Sequence, residues 1–183
     1  FSSIFSGIGL LWDRQFGFLK EIMVTPVSRI SIVLGRIAGG ATTSIIQGTA
    51  VLLLSLLLGF QISGALGFLL ALVFMVLISM SFIGLGLAIA SRLKDMQGFS
   101  LIMNFIMFPL LFLSGAFYPL ETLPSFIRWI GYVNPLTFGI DGMRGSLIGT
   151  SSLPLVEDIA FLLVFCTATV LIGAYLFEKN ESV

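Results

Sequence analysis

The residues that could do chemistry in this sequence form no pattern typical of an enzyme. The 183 residues include no histidine and one cysteine, Cys166, which lies in an apolar run. This composition excludes His-based metal sites, Ser-His triads and disulfides within the sequence. No G-x-x-x-x-G-K-[ST] run is present to hold nucleotide phosphates. We therefore expect no enzyme activity, and no metal or cofactor bound by the chain itself.

Two polar side chains interrupt long apolar stretches. Gln47 and Asn104 could each form a hydrogen bond between helices, worth about 0.6–2 kcal/mol, or could line a substrate path. Pro109 predicts a kink in the helix that contains Asn104. That helix, with Asn104, Phe105 and Phe108, is the candidate cavity wall, and plain packing is the alternative for each residue.

A second polar group lies in the proline-rich segment 118–154. Asn134 followed by Pro135 is a typical helix start, since asparagine caps and proline suits the first helical position. Asp141 and Arg144 stand three residues apart and could pair on a helix surface. The segment predicts two short amphipathic helices. They form either a lid over the outer ends of the spans or an outer gate, whose candidate residues are Asn134, Pro135, Asp141 and Arg144.

The segment WDRQFGFLKEIMVTP predicts an amphipathic helix from Trp12 to Val24. Its apolar residues stand at i, i+4, i+7 and i+11, which places them on one helical face; they are Trp12, Phe16, Leu19 and Met23. Thr25-Pro26 predicts the start of the next helix. The polar face is balanced between basic and acidic residues. The helix either lies on the lipid or docks a partner, and a balanced face suits a protein partner better than anionic lipid.

These groups must be positioned by helices that lie in lipid. Apolar residues make up 57% of the sequence and charged residues 10%, whereas a soluble domain carries about 25% charged residues. A helix needs about 20 apolar residues to cross a bilayer. Charge-free runs predict complete spans over 37–58, 66–90, 99–117 and 159–177, and residues 1–11 are interpreted as the end of another span. The expected fold is all-α: a polytopic membrane helix bundle with four complete spans plus the end of a fifth.

Small residues recur at four-residue spacing in these runs and predict close approach between helices. They are Gly35 and Gly39, then Gly40, Ser44 and Gly48, then Gly86 and Ala90.

Basic residues predict the orientation of the spans. Alternation places the segments 12–36 and 91–98 and the C-terminal tail on one side, and 59–65 and 118–154 on the other. The first side holds seven of the nine basic residues, and Lys and Arg are enriched in cytoplasmic loops. These seven are Arg14, Lys20, Arg29, Arg36, Arg92, Lys94 and Lys179. We therefore expect residues 12–36 to be cytoplasmic and residues 118–154 to be external.

The stretch LFLSGAFYPLETLPSFIRWIGYVNPLTFGIDGMRGSLIG resembles the C-terminal signature of the type-2 ABC transporter permeases. It is most similar to the multidrug and daunorubicin-resistance exporter branch, which would make this an efflux protein. Segment 13–36 also resembles the cytoplasmic loop of that family, with Gly17, Leu19, Thr25-Pro26 and Arg29. The resemblance covers the C-terminal part of a six-span domain, and residues 1–183 lack its first span and most of its second. We expect these residues alone not to transport.

The resemblance implies two kinds of protein partner. Two permease copies would pair, as a homodimer or with a paralogue, and each would dock a cytoplasmic ATP-binding subunit through a coupling helix, here Trp12–Val24. The residues facing that subunit would be Asp13, Arg14, Phe16, Gly17, Leu19, Lys20 and Glu21. ATP and magnesium would be bound by that subunit. The outer helices of the family would be residues 120–131 and 135–147.

The expected function is therefore that of a permease subunit in a multi-pass exporter of a prokaryotic plasma membrane. It would move a hydrophobic drug, lipid or glycan-type substrate outward with ATP hydrolysed by a separate subunit. A channel or ion-coupled carrier is the first alternative, although the predicted spans lack the ionisable residues that carry ions. A non-transporting membrane scaffold is the second. The net charge of zero gives no attraction to nucleic acid.

Overall fold

The structure is a computed structural model, and it describes residues 1–118, 120–122 and 124–180. The described chain is all-α, as the sequence predicts. Its α-helices are α1 (Ser2–Phe5), α2 (Ile8–Gln15), α3 (Phe18–Val24), α4 (Arg29–Leu57), α5 (Ala65–Ala90), α6 (Met96–Phe112), α7 (Ser125–Val133), α8 (Pro135–Ile148) and α9 (Leu155–Asn180). A 3-10 turn, Leu120–Thr122, precedes α7.

Three of the described helices are long and apolar enough to cross a membrane. They are α4 with 29 residues, α5 with 26 and α9 with 26. Helix α6 has 17 residues, and at about 1.5 Å per residue it is at the lower limit for a bilayer core of about 30 Å. The span predicted over 99–117 thus ends early, at Phe112. The fold is a polytopic membrane helix bundle.

Two helices extend beyond their predicted apolar runs. Helix α4 begins at Arg29 rather than at residue 37, and α9 begins at Leu155 rather than at residue 159. Backbone hydrogen bonds continue a helix past the point where its side chains become polar, so charge-free runs mark the apolar core and not the helix ends. The side chain of Ser28 accepts a hydrogen bond from the Ser31 N–H at 3.2 Å and caps α4.

The prediction that Thr25-Pro26 starts this helix is therefore wrong. The Thr25 hydroxyl donates instead to the Ile22 carbonyl oxygen at the end of α3.

The described chain divides into two compact units. The first comprises residues 1–44 and 79–105 and the chain from Cys166 onward; the second comprises 45–78 and 106–165. The connecting segments in each unit are those that the alternation of the predicted spans places on one side of the membrane. In the first, Arg29 donates to the Glu178 carbonyl oxygen at 3.0 Å. In the second, the Ser63 N–H donates to the Leu147 carbonyl oxygen at 2.9 Å.

The first unit is built around the start of the chain and α5. Residues 1–11 fall in two short helices, α1 and α2, and the backbone between them keeps a right-handed helical conformation at Ser6 and Gly7. A Cβ atom added at Gly86 would overlap the Ile4 carbonyl oxygen, so the two backbones are in direct contact. The predicted close approach is confirmed at Gly86. At Gly35 and Gly39 an added Cβ would have no neighbour within 4 Å in this chain, so close approach there stays a prediction.

The second unit packs α8 against α5 and α9. Its core holds Phe74 and Leu162, both fully buried, with Phe138 of α8 packed onto them. The Phe74 ring occupies the space where a Cβ of Gly142 would lie, which brings α8 close to α5. Helix α8 is thus a packed part of this unit and not a helix lying loosely on a lipid surface.

Candidate functional site

The segment predicted as one coupling helix is two helices joined at Gly17. This glycine has a φ of +82°, a left-handed conformation that side chains with a Cβ disfavour. The predicted single helix from Trp12 to Val24 is therefore wrong, and Phe16 and Leu19 do not share one face. Leu19 is 4% exposed, whereas Phe16 is 70% exposed. The periodic pattern could not reveal the break, because it carries no information on the sign of φ.

Three consecutive residues at the end of α2 anchor the segment to the rest of the first unit. The Trp12 indole N–H donates to the Met96 sulfur of α6 at 2.7 Å. Asp13 forms an ion pair with Arg36 of α4. The Arg14 guanidinium donates to the Leu93 carbonyl oxygen at 2.7 Å, in the loop between α5 and α6. We call Trp12, Asp13 and Arg14 the anchor. Their side chains hold the segment in place, so they are less available to a partner than the sequence implies.

The residues that follow the anchor are exposed. Phe16 and Phe18 expose 70% and 56% of their surface, and Lys20 and Glu21 are also exposed. We call Phe16, Phe18, Lys20 and Glu21 the docking surface. Phe18 was not among the predicted residues, because it lies outside the helical periodicity. Exposed aromatic side chains are enriched at protein interfaces, and Lys20 and Glu21 would suit the polar rim of one.

At the predicted outer side, Asn134 joins the end of α6 to the start of α8. Its side-chain oxygen accepts from the Leu136 N–H at 3.0 Å and so caps α8. Its amide nitrogen donates to the Leu110 carbonyl oxygen at 2.6 Å, one of the carbonyls that the end of a helix leaves without a partner. Pro135 occupies the first turn of α8. The predicted helix start at Asn134-Pro135 is confirmed. The helix implied over 120–131 is instead the 3-10 turn followed by α7.

Asp141 and Arg144 have separate partners rather than each other. Asp141 is 6% exposed, and its carboxylate accepts from the N–H groups of Ser152 at 2.9 Å and Leu153 at 2.8 Å. Arg144 donates to the Gly115 carbonyl oxygen at 3.0 Å. The predicted pairing of Asp141 with Arg144 is therefore wrong. Both residues line a cavity of about 90 Å³. Their hydrogen bonds tie α8 to the loop that follows α6 and to the loop between α8 and α9.

Asp158 is the residue that the sequence interpretation missed. The earlier start of α9 places Asp158 in the helix and not in the loop before it. Its side chain is fully buried, and neither carboxylate oxygen has a hydrogen-bond partner among the described residues. A buried ionised carboxylate without a partner is costly. The statement that the spans lack ionisable groups thus holds for the apolar runs but not for the whole of α9.

The candidate substrate-path residues lie on the surface of the chain. Phe105 is 81% exposed and Phe108 is 50% exposed, and Gln47 and Asn104 are exposed as well. They do not enclose a cavity within this chain. Helix α6 continues past Pro109 to Phe112. A substrate path along this surface would need a second wall, from lipid or from another protein.

The described residues contain no group of three or more His, Cys, Asp or Glu side chains that could hold a metal ion.

The comparison with known proteins agrees with this architecture. The family model of the ABC-2 type transporter matches residues 1–148. The chain is 31% identical over 164 residues to the inner membrane transport permease YadH of Escherichia coli, which covers 89% of this chain and 63% of that protein. It is 30% identical over 143 residues to the putative transport permease ycf38 of Cyanophora paradoxa, covering 78% of this chain and 49% of that protein.

A third relative is nodulation protein J of Rhizobium leguminosarum, 24% identical over 180 residues, or 98% of this chain and 68% of that protein. The chain thus spans about half to two thirds of the length of these relatives. The family match extends over α1 to α8. On these grounds the chain belongs to the ABC-2 type transporter family.

Proposed function

We propose that the chain belongs to the permease subunit of an ATP-binding-cassette exporter. This permease moves a hydrophobic drug, lipid or glycan-type substrate outward across a prokaryotic plasma membrane. It uses ATP that a separate subunit binds with magnesium and hydrolyses. It works as a pair, with itself or with a paralogue.

The docking surface is the observation that carries this proposal. Two exposed aromatic rings and a Lys-Glu pair lie next to an anchor that bonds to α4, to α6 and to the loop before α6. A lipid-facing helix needs no such anchor. A surface that receives force from a partner does, because movement of the surface must reach the membrane helices. The sequence contains no phosphate-binding loop of its own, which is consistent with energy supplied by another protein.

The structure also selects the residues for the test. Arg14 is part of the anchor, so reversing its charge would disturb the local fold as well as any partner. Lys20 and Glu21 are exposed and suit a swap of charges, Lys20→Glu with Glu21→Lys. The matched control is Lys179→Glu with Glu178→Lys, an adjacent pair on the same predicted side near the end of α9.

We expect the full-length permease and the control to co-purify with their ATP-binding subunit. The swap at Lys20 and Glu21 should weaken the complex by about tenfold, since mispaired charges at an interface lower affinity by about 1 kcal/mol or more. Substrate-stimulated ATP hydrolysis should fall in parallel. If the swapped variant keeps the complex and the ATPase rate of the control, the docking surface is not where the subunit binds.

Transport itself separates the exporter from an ion-coupled carrier. In sealed vesicles, outward-directed transport by the full-length permease with its ATP-binding subunit should need hydrolysable ATP. It should also persist after the proton and sodium gradients are collapsed. Transport that follows those gradients without ATP would favour the carrier, and an absence of any substrate-dependent ATP use would favour the scaffold.

A further inference from the structure

A basic cleft lies where three helices of the first unit end. Helix α2 ends at Gln15, α5 at Ala90 and α9 at Asn180. The cleft measures about 530 Å³ and is lined by Arg14, Arg92 and Lys94, together with the polar residues Gln15, Ser91 and Asn180. At about 30 Å³ for each water molecule, it is roomy enough for a phosphate group with its first hydration shell.

The balance of charge in the cleft favours an anion. The three helix ends each contribute about half a negative charge, which three full positive charges outweigh. None of the described residues that line the cleft is acidic. Among the described acids adjacent in sequence to the basic lining residues, Asp13 pairs with Arg36 and Asp95 accepts from the Gly98 N–H. The described lining of the cleft therefore carries a net positive charge.

The length and composition of α5 and α9 predict that the cleft lies at the depth of the lipid headgroups. Helices α5 and α9 are long and apolar enough to cross the bilayer, so their ends mark its interface. Trp12 and Tyr175, which are 52% and 61% exposed, lie near these ends. Tryptophan and tyrosine are enriched at the membrane–water interface. The anions that the membrane itself presents at this depth are lipid headgroups, so an anion that enters the cleft from the membrane is part of a lipid.

We propose that this cleft binds the phosphate group of an anionic phospholipid in the leaflet that the basic residues face. Arg92 and Lys94 are exposed and donate to the phosphate oxygens. The arginine guanidinium offers a planar pair of donors, and the lysine ammonium offers a compact positive charge. The acyl chains lie along the apolar surfaces of α5 and α9. The inference depends on the membrane position of these helices and not on the docking of an ATP-binding subunit.

Lipid retention tests the site directly. The full-length permease is released from nanodiscs of phosphatidylcholine with a minority of phosphatidylglycerol, and native mass spectrometry counts the bound phosphatidylglycerol. The variant Arg92→Ala with Lys94→Ala should reduce its apparent affinity by about 30-fold, since each basic residue near an anionic surface contributes about 1 kcal/mol. The control Arg29→Ala with Lys179→Ala removes one arginine and one lysine from the same predicted side but not from the cleft, and it should retain the lipid.

Four results would overturn the proposal. Equal retention by the variant and the wild type would show that the cleft binds no lipid, and equal loss in the control would show unspecific attraction. Binding of inorganic phosphate in nanodiscs of phosphatidylcholine alone, lost in the variant, would assign the cleft to a free anion. Loss of the ATP-binding subunit with unchanged lipid retention would make the cleft a protein contact.

Discussion

Asn134 shows how one side chain stabilises two helix ends at once. It is 4% exposed, and it bonds to the Leu136 N–H and the Leu110 carbonyl oxygen. The first bond caps α8 and contributes about 1 kcal/mol. The second satisfies a carbonyl that would otherwise be buried without a partner, at a cost of about 1–3 kcal/mol.

Two substitutions separate these contributions. Serine caps helices well but is too short to replace the amide that reaches Leu110, and alanine does neither. We expect the apparent melting temperature of the full-length permease in detergent to fall from wild type to Asn134→Ser, and further to Asn134→Ala. Equal values for wild type and Asn134→Ser would show that the bond to Leu110 contributes nothing.

Sequence patterns were most reliable for single residues that act locally. The cap at Asn134 was predictable because an N-cap bonds within its own first turn. The partners of Asp141 and Arg144 were not, because Ser152 and Gly115 lie well away in the sequence and only folding brings them near. Asp158 was missed because the apolar run began one residue after it.

At the scale of elements, close contact between α5 and the start of the chain depends on glycine. A Cβ at Gly86 would overlap the Ile4 backbone, while a Cβ at Gly39 of α4 would have no neighbour within 4 Å. We expect Gly86→Ala to force the backbones apart at a cost of about 1–3 kcal/mol. Gly39→Ala should be neutral or stabilising by up to about 1 kcal/mol, because alanine favours the helix.

The measurement is the yield of folded full-length permease on size-exclusion chromatography, together with its apparent melting temperature. Both variants replace a helical glycine with alanine, so a difference between them reports the contact of Gly86 with Ile4. If the two variants behave alike, the approach of α5 to Ile4 is not a tight one.

Hydropathy predicted one helix almost to the residue and others less well. The run 66–90 matches α5 closely because turns with glycine and charge bound it on both sides. Helices α4 and α9 exceed their apolar runs because their ends carry charged side chains at the interface. The break at Gly17 was not visible in the sequence, since glycine is tolerated within helices and only its φ shows that this one ends α2.

At the scale of the whole molecule, the two units allow the orientation to be tested. Lys20 belongs to the first unit and Thr150 to the second, and both are exposed. Cys166 is buried, so it contributes little background to labelling. We expect a cysteine at Thr150 to react with a membrane-impermeant maleimide in intact spheroplasts, and a cysteine at Lys20 to react only after permeabilisation.

For this test, any reactive cysteine other than the introduced one is first replaced by serine. The reverse pattern would invert the orientation predicted from basic residues, and labelling of both sites in intact spheroplasts would contradict the alternation of sides. The all-α class and the grouping of segments follow from hydropathy. The side facing the cytoplasm rests on the distribution of Lys and Arg alone.

The anchor has a mechanical consequence for the end of α2. Consecutive side chains of an α-helix project about 100° apart around the helix axis. The contacts of Trp12, Asp13 and Arg14 are therefore spread over about 200° of the circumference of α2. Their three bonds reach Met96, Arg36 and the Leu93 carbonyl oxygen. Rotation of α2 about its own axis would strain all three bonds at once. When α2 is translated instead, the three bonded partners can move with it. We therefore expect a partner that pushes on the docking surface to deliver linear displacement rather than torsion.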